Sequence, residues 1–209
     1  MQPSFLHRSL RLLTLACLLV PYTTWAADLT ITVTDAAGTP LPDAVVWAEP
    51  SGKATLPAPG TAAIEQKNRQ FLPLVSVVQT GTSVSFPNRD KVKHHVYSFS
   101  PAKTFELKLY SGVPSTPVVF DKAGTVVLGC NIHDQMLAFI RVVDTPYFAL
   151  SDSTGKATIS NVPNGSYTLA VWHYAQSNEN TLFEKALGVK ADEQTAVKLD
   201  INTSALQKR

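Results

Sequence analysis

"VVLGCNIHDQM", residues 126–136, decides how this chain is read. A β-branched run ends at Cys130, and His133 and Met136 follow at intervals of three. Thiolate, imidazole and thioether together are a soft donor set, suited to copper and poorly suited to magnesium, calcium or manganese. Zinc would ask for further Cys, His or carboxylate ligands, and methionine serves it badly. A thiol close to an imidazole is also the start of a nucleophile and base pair, although no third, orienting group accompanies it. The spacing alone fits equally well a core cysteine and methionine on either side of a surface-loop histidine.

Around this stretch the chain is a succession of short alternating or β-branched runs, among them "LTITVTD", "LVSVVQTG", "HHVYSFS", "TFELKLY", "LAFIRVVD" and "SYTLAVWHY". Turn chemistry separates them, as in "DAAGTPLPD", "DSTGK" and "VPNGS", where Asn164 and Gly165 suit a reversal that needs positive φ. Many strands at close spacing predict an all-β, antiparallel sandwich or barrel. The segment "NENTLFEKALGVKADEQ" is the best candidate for a short helix, but Gly188 and its β-branched surroundings favour strands.

The first 26 residues place Arg8 and Arg11 ahead of an apolar run from Leu12 to Val20, with small residues at Ala26 and Ala27. This is the pattern of a cleaved secretory leader, and its apolar stretch is too short for a membrane span. The expected location is therefore the periplasm. Losing Arg8 and Arg11 from 18 basic residues leaves 16 against 16 acidic ones, and this neutral balance offers no footprint for nucleic acid. Losing Cys17 leaves Cys130 as a single thiol in a compartment where cysteines usually pair. The remaining chain of about 180 residues, with 44% hydrophobic content overall, is enough for one large or two small cores.

A second stretch, "TSVSFPNRDKVKHHVYSF" (residues 82–99), bears on the first. It runs from a strand through Asn88 and a loop into His94 and His95, which open another strand. Neighbouring strand side chains point to opposite faces, so normally only one of the two histidines can face a given site.

With both stretches in hand, residues 62–144 resemble the cupredoxins, the small blue-copper proteins, and among them amicyanin and plastocyanin. The resemblance is carried by Phe86, Asn88, His94 and Val96, by Cys130, His133 and Met136, and by "FLPLVSVVQTGTSVSF" upstream. It implies one type 1 copper ion held by His94, Cys130 and His133, with Met136 as a weak axial ligand. Asn88, His95 and Asn131 would surround these ligands, Asn88 by hydrogen-bonding across to the backbone near Asn131. His95 stands where the family has asparagine, and Asp134 where proline is frequent. The flanking segments 27–61 and 145–209 resemble the two ends of a transthyretin-like or carboxypeptidase-regulatory-like module, through "DAAGTPLPDAVV" and "DSTGKATISNVPNGSYTLAVWH". The expected fold is thus all-β: a Greek-key cupredoxin sandwich inserted in a second, small transthyretin-like β-sandwich. Two sandwiches in series is the plainer alternative. Taken whole, the chain resembles exported bacterial proteins labelled methylamine-utilisation or plastocyanin-like, a label that follows amicyanin similarity and does not make methylamine a substrate.

The function this implies is a single-electron carrier without turnover, whose electron port is His133 within an apolar patch. It would dock transiently with protein partners such as a c-type cytochrome or a periplasmic dehydrogenase. Copper storage or delivery, and a metal-free interaction module, are the competing expectations. His173, Trp47, Trp172 and Tyr167 read as structural residues.

Overall fold

Strand β1 (Ala26–Thr34) shows how directly the pattern becomes structure: Ala27, Leu29, Ile31 and Val33 are buried while Asp28, Thr30 and Thr32 point away from the core. In the computed structural model, which describes residues 26–114, 116–178 and 181–203, this period of two recurs through the chain. The leader expectation for residues 1–26 lies outside these residues, save for Ala26 at the start of β1. After β2 (Val45–Pro50) come β3 (Thr61–Ala63), β4 (Glu65–Lys67), β5 (Gln70–Leu72), β6 (Val75–Gln79) and β7 (Thr82–Ser85). The middle of the chain continues with β8 (His94–Ser100), β9 (Lys103–Tyr110), β10 (Val118–Phe120), β11 (Gly124–Cys130) and β12 (Leu137–Val143). It closes with β13 (Phe148–Leu150), β14 (Lys156–Pro163), β15 (Gly165–Trp172), β16 (Phe183–Val189) and β17 (Glu193–Lys198). The described residues contain no α-helix, and the segment weighed as a helix is β16, paired antiparallel with β15.

Strands β3 to β12 build one set of sheets, ordered β6-β12-β11-β8-β9, β10-β7-β3 and the ribbon β4-β5. The N- and C-terminal strands build the other, ordered β14-β1-β17 and β13-β2-β15-β16. Each set encloses an apolar core, Ile64, Phe86, Val96, Phe120, Leu128 and Ile140 in the first, Leu29, Ile31, Val46, Ile159 and Leu169 in the second. The purely antiparallel expectation is corrected in three places: β1–β17, β3–β7 and β6–β12 are parallel. Parallel neighbours cannot be joined by a tight hairpin, so the turn residues that mark antiparallel pairs in a sequence leave these pairs unmarked.

Strands β2 and β15 are buried on both faces, which is why "VVWA" and "LAVW" read as unbroken apolar runs. One face of each enters the terminal core through Val46, Ala48, Leu169 and Val171. The other face, with Val45, Trp47, Ala170 and Trp172, packs on Val75, Val143 and Phe139 of the middle sheets. Phe139 meets the rings of Trp172 and Tyr174 there, and the Arg141 guanidinium lies 4.9 Å from the Trp47 ring centre. Burial holds Arg141 below its ordinary pKa, against the pull of Glu49. Trp47, Trp172 and Tyr167 therefore sit in packed positions. His173 is also buried, its Nε2 3.1 Å from the Pro42 carbonyl and its Nδ1 accepting from the Ala175 amide.

Candidate metal centre

The site begins with two strand pleats. Along β8 the inward positions are His94, Val96, Ser98 and Ser100, so His94 is fully buried, while His95 and Tyr97 face outward. His95 meets Glu106 of β9 at 2.9 Å on that outer face. Along β11 the inward residues are Val126, Leu128 and Cys130, and Cys130 pairs with Val96 across the sheet. The sheet thus sets the end of one strand against the start of the other, thiol beside imidazole.

Strands β11 and β12 form a hairpin with Gly129 opposite Leu137, and its loop holds the remaining candidates. The Met136 amide donates to the His133 carbonyl at 2.9 Å, which closes the loop as a tight turn. Cys130 Sγ lies 3.8 Å from His94 Nδ1 and 3.7 Å from His133 Nδ1, and the two rings are 5.0 Å apart between centres. These three donor atoms all fall within 4.8 Å of one another. Met136 lies on the inward face with Ala138 and Ile140, buried in the same apolar cluster as Cys130. Asn131 and His95 lie on the outer side, where both line a concavity with Tyr97, Phe99 and Phe105.

The donors fit a metal. A first-row ion at about 2.3 Å from sulfur and about 2.0 Å from nitrogen, in a trigonal arrangement, leaves S and N about 3.7 Å apart. That is the separation found, at the long end for a thiol hydrogen bond. The group combines one thiolate with two imidazoles and has a thioether in its cluster, a soft set.

The surroundings differ from expectation at Asn88. Both donors of its carboxamide are spent on its own side of the site, on the Val92 and Tyr110 carbonyls at 2.8 and 3.1 Å, and its oxygen accepts from the Asp90 amide. These bonds close the loop before His94, so Asn88 shapes that loop and makes no tie toward Asn131. Tyr110 arrives there through a bulge in β9, which shifts the register between His94 and Val96. Its hydroxyl donates to the Phe86 carbonyl at 2.7 Å and accepts from Gln66. Burial pushes that hydroxyl up to about 12, against the Gln66 bond and with a further push from Cys130.

Two features were missed in the sequence. Asp90 Oδ2 lies 2.8 Å from His94 Nε2. Its carboxylate also accepts from the amides of Asn68 and Arg69, at 2.7 and 2.9 Å. Burial pushes Asp90 up, but the Arg69 amide, His94 and the Asn68 amide outweigh it, and the carboxyl falls below its ordinary value. The spacing of Asp90 four residues before His94 was the available signal. The second feature is the opening beside His133, a concavity of about 410 Å³ lined by Asn68, Arg69, Gln70, Asp134 and Gln135 as well. On this side of the His133 ring the surface is polar, formed by the β4–β5 turn, while the neighbouring Ile132 is an exposed apolar side chain.

No protein-family model matches the chain, and no curated protein does. Solved structures do. A purple cupredoxin from Nitrosopumilus maritimus is 21% identical, over 39% of this chain and 99% of its own, with a TM-score of 0.35. A copper(I) amicyanin variant is 19% identical, over 40% of this chain and 82% of its own, with a TM-score of 0.36. A copper-containing nitrite reductase from Thermus scotoductus is 22% identical, over 53% of this chain and 28% of its own, with a TM-score of 0.37. These are partial likenesses, and the reading of the centre rests on its own residues.

Proposed function

We propose that this protein is a one-electron carrier holding a single type 1 copper ion between His94, Cys130 and His133, with Met136 as the weak fourth ligand. The observation that carries the reading is the placement of Cys130 Sγ at 3.8 and 3.7 Å from the two Nδ1 atoms. When bound, copper would supply a Cu(I)/Cu(II) couple. The chain's own part is to hold the donors still. His94 and Cys130 are fixed by paired strands and buried among Val96, Leu128 and Ile140, so little has to move when the charge of the site changes. Binding a metal would also deprotonate Cys130 and shelter it, which accounts for a lone thiol on an exported chain.

His133 is the least buried of the three donors, and its ring borders the polar concavity. Partners would dock there over a small, transient interface. The arginine-flanked leader supports export to the periplasm. Nothing in this role asks for substrate turnover.

The test is to add Cu(II) to the purified chain lacking residues 1–26 and record its visible spectrum. An intense thiolate-to-copper band, absent in Cys130→Ser, is expected. A folded wild-type protein that takes up copper without colour would refute the type 1 reading. Repeated reduction and reoxidation then separates carriage from delivery: a carrier keeps its copper in the presence of a Cu(I) chelator protein through each cycle.

A further inference from the structure

We propose that Asp90 is a positioning residue of this centre: through His94 Nε2 it fixes which ring nitrogen faces Cys130 and biases the site toward the more highly charged metal state. The inference rests on the copper reading above for its second half and on geometry alone for its first.

The arrangement starts at the β4–β5 hairpin. Lys67 pairs with Gln70, so the turn has two residues, and Asn68 and Arg69 both take φ 56°. Consecutive left-handed residues make the reversal that suits a two-residue hairpin, and asparagine enters that region more easily than most. Here the backbone amides of both turn residues converge on one carboxylate, Asn68 on Oδ1 and Arg69 on Oδ2 of Asp90. From behind, the Asp90 amide donates to Asn88 Oδ1 at 2.8 Å. The carboxylate is thus held by two bonds, and the Asp90 backbone by a third, none of which involves His94.

Its remaining contact is the imidazole. An acceptor that already receives two N–H groups offers His94 Nε2 only lone pairs, so that nitrogen must carry the ring proton. Nδ1, 3.8 Å from Cys130 Sγ, then presents its lone pair to the site. A fully buried ring has no water to serve in place of Asp90. Among the described residues no carboxylate stands within ion-pair reach of the His133 ring, so the two imidazoles are unequal. The Asp90 carboxylate lies 2.8 Å from the His94 ring with its side chain 13% exposed, so part of its negative charge is felt at the site. An added negative charge favours Cu(II) over Cu(I).

Two measurements test this. In metal-free protein, long-range ¹H–¹⁵N spectra of the imidazoles should show His94 protonated at Nε2 and not at Nδ1. A wild-type His94 protonated at Nδ1 overturns the proposal without any variant. Asp90→Ala should mix the two forms. In copper-loaded protein, Asp90→Asn, which keeps the side chain's shape, should raise the ratio of Cu(I) to Cu(II) affinity at least about tenfold, measured with competing chelators. Glu106→Gln is the control: it removes a carboxylate from His95 on the outer face and should move neither readout. If wild type is blue, and neither the tautomer nor the affinity ratio changes in the Asp90 variants, Asp90 is not a positioning residue and the copper reading stands. If the tautomer is locked by Asp90 but no blue site forms, the copper reading falls and the positioning of His94 stands.

Discussion

Gly129 immediately precedes Cys130, and the structure makes its missing side chain a packing element. A Cβ added there would lie 2.7 Å from Tyr97 Cζ, 2.8 Å from Oη and 3.2 Å from Cε1. Gly129 and Tyr97 are partners on β11 and β8, so the backbones cannot slide apart and the ring itself would have to move. Reaching ordinary contact at 3.4 Å asks for about 0.7 Å of displacement. Overpacking of this kind costs about 1–3 kcal/mol. Replacing glycine by alanine where the backbone is not left-handed returns about 0.4–1 kcal/mol through the unfolded chain. Gly129→Ala should therefore destabilise the metal-free protein by about 1.3 kcal/mol at the middle of those ranges, and by no more than about 2.6 kcal/mol. With Tyr97→Ala already made, the obstacle is gone and the same substitution should stabilise by about 0.4–1 kcal/mol. The assay is urea unfolding of the four proteins of this cycle, with midpoints converted through a common m-value. A sign reversal supports the packing of Tyr97 over Gly129. Effects of Gly129→Ala that agree within about 0.5 kcal/mol in the two backgrounds would refute it.

Three further outcomes follow from buried polar groups. His173 is satisfied as a neutral ring, and burial lowers its pKa from 6.5 against the Pro42 carbonyl and Asp43. The unfolded chain then binds the proton more tightly, so this contribution is complete above pH 6.5 and is lost as pH falls toward the folded value. The urea-midpoint gap between metal-free wild type and His173→Gln should shrink between pH 7 and 5. Asp35 is held below 3.8 by the Thr203 hydroxyl first and the Thr39 amide next, with the Ala37 amide also bonded to it. Its contribution is present above the unfolded pKa and lost as pH drops through the lower folded one, so Asp35→Asn should flatten the acid limb of the stability curve below pH 3.8. Arg141 bonds from Nη1 to Thr125 at 3.0 Å, and its buried Nε meets no partner among the described residues. Calorimetry should find Arg141→Met within about 1 kcal/mol of wild type, because shedding a buried guanidinium offsets the lost ring contact. Arg141→Ala should lose about 2 kcal/mol or more through the hole it leaves.

How much of the site could be read in advance depends on whether a residue's role is local. His94 and His95 are adjacent, and the pleat forces one inward and one outward. The resemblance points to His94, and the structure places its ring inside while His95 turns to Glu106. The run from Cys130 to Met136 is a single hairpin loop, so its three side chains stay neighbours whatever the rest of the chain does. Asp90 could not be read in this way. In the sequence it is one polar residue in a polar loop, and its role depends on amides of Asn68 and Arg69 that only the hairpin's left-handed turn aims at it. Asn88 was assigned the wrong reach for a related reason: the bulge in β9 brings the Tyr110 carbonyl to it, and a bulge leaves no periodic mark.

What the sequence determines by itself, then, is what alternation and spacing along one strand or one loop can carry. That covers the all-β character, the inward faces of β1, β8 and β11, and the donor types at 94, 130, 133 and 136. Tertiary structure alone decides which strands far apart in the chain lie side by side. It sets β1 parallel to β17 and β6 parallel to β12, and it turns the second faces of β2, β15 and β12 against one another around Arg141. It also carries the 68–69 turn to Asp90. Those contacts join residues far apart in the chain, and no local pattern records them.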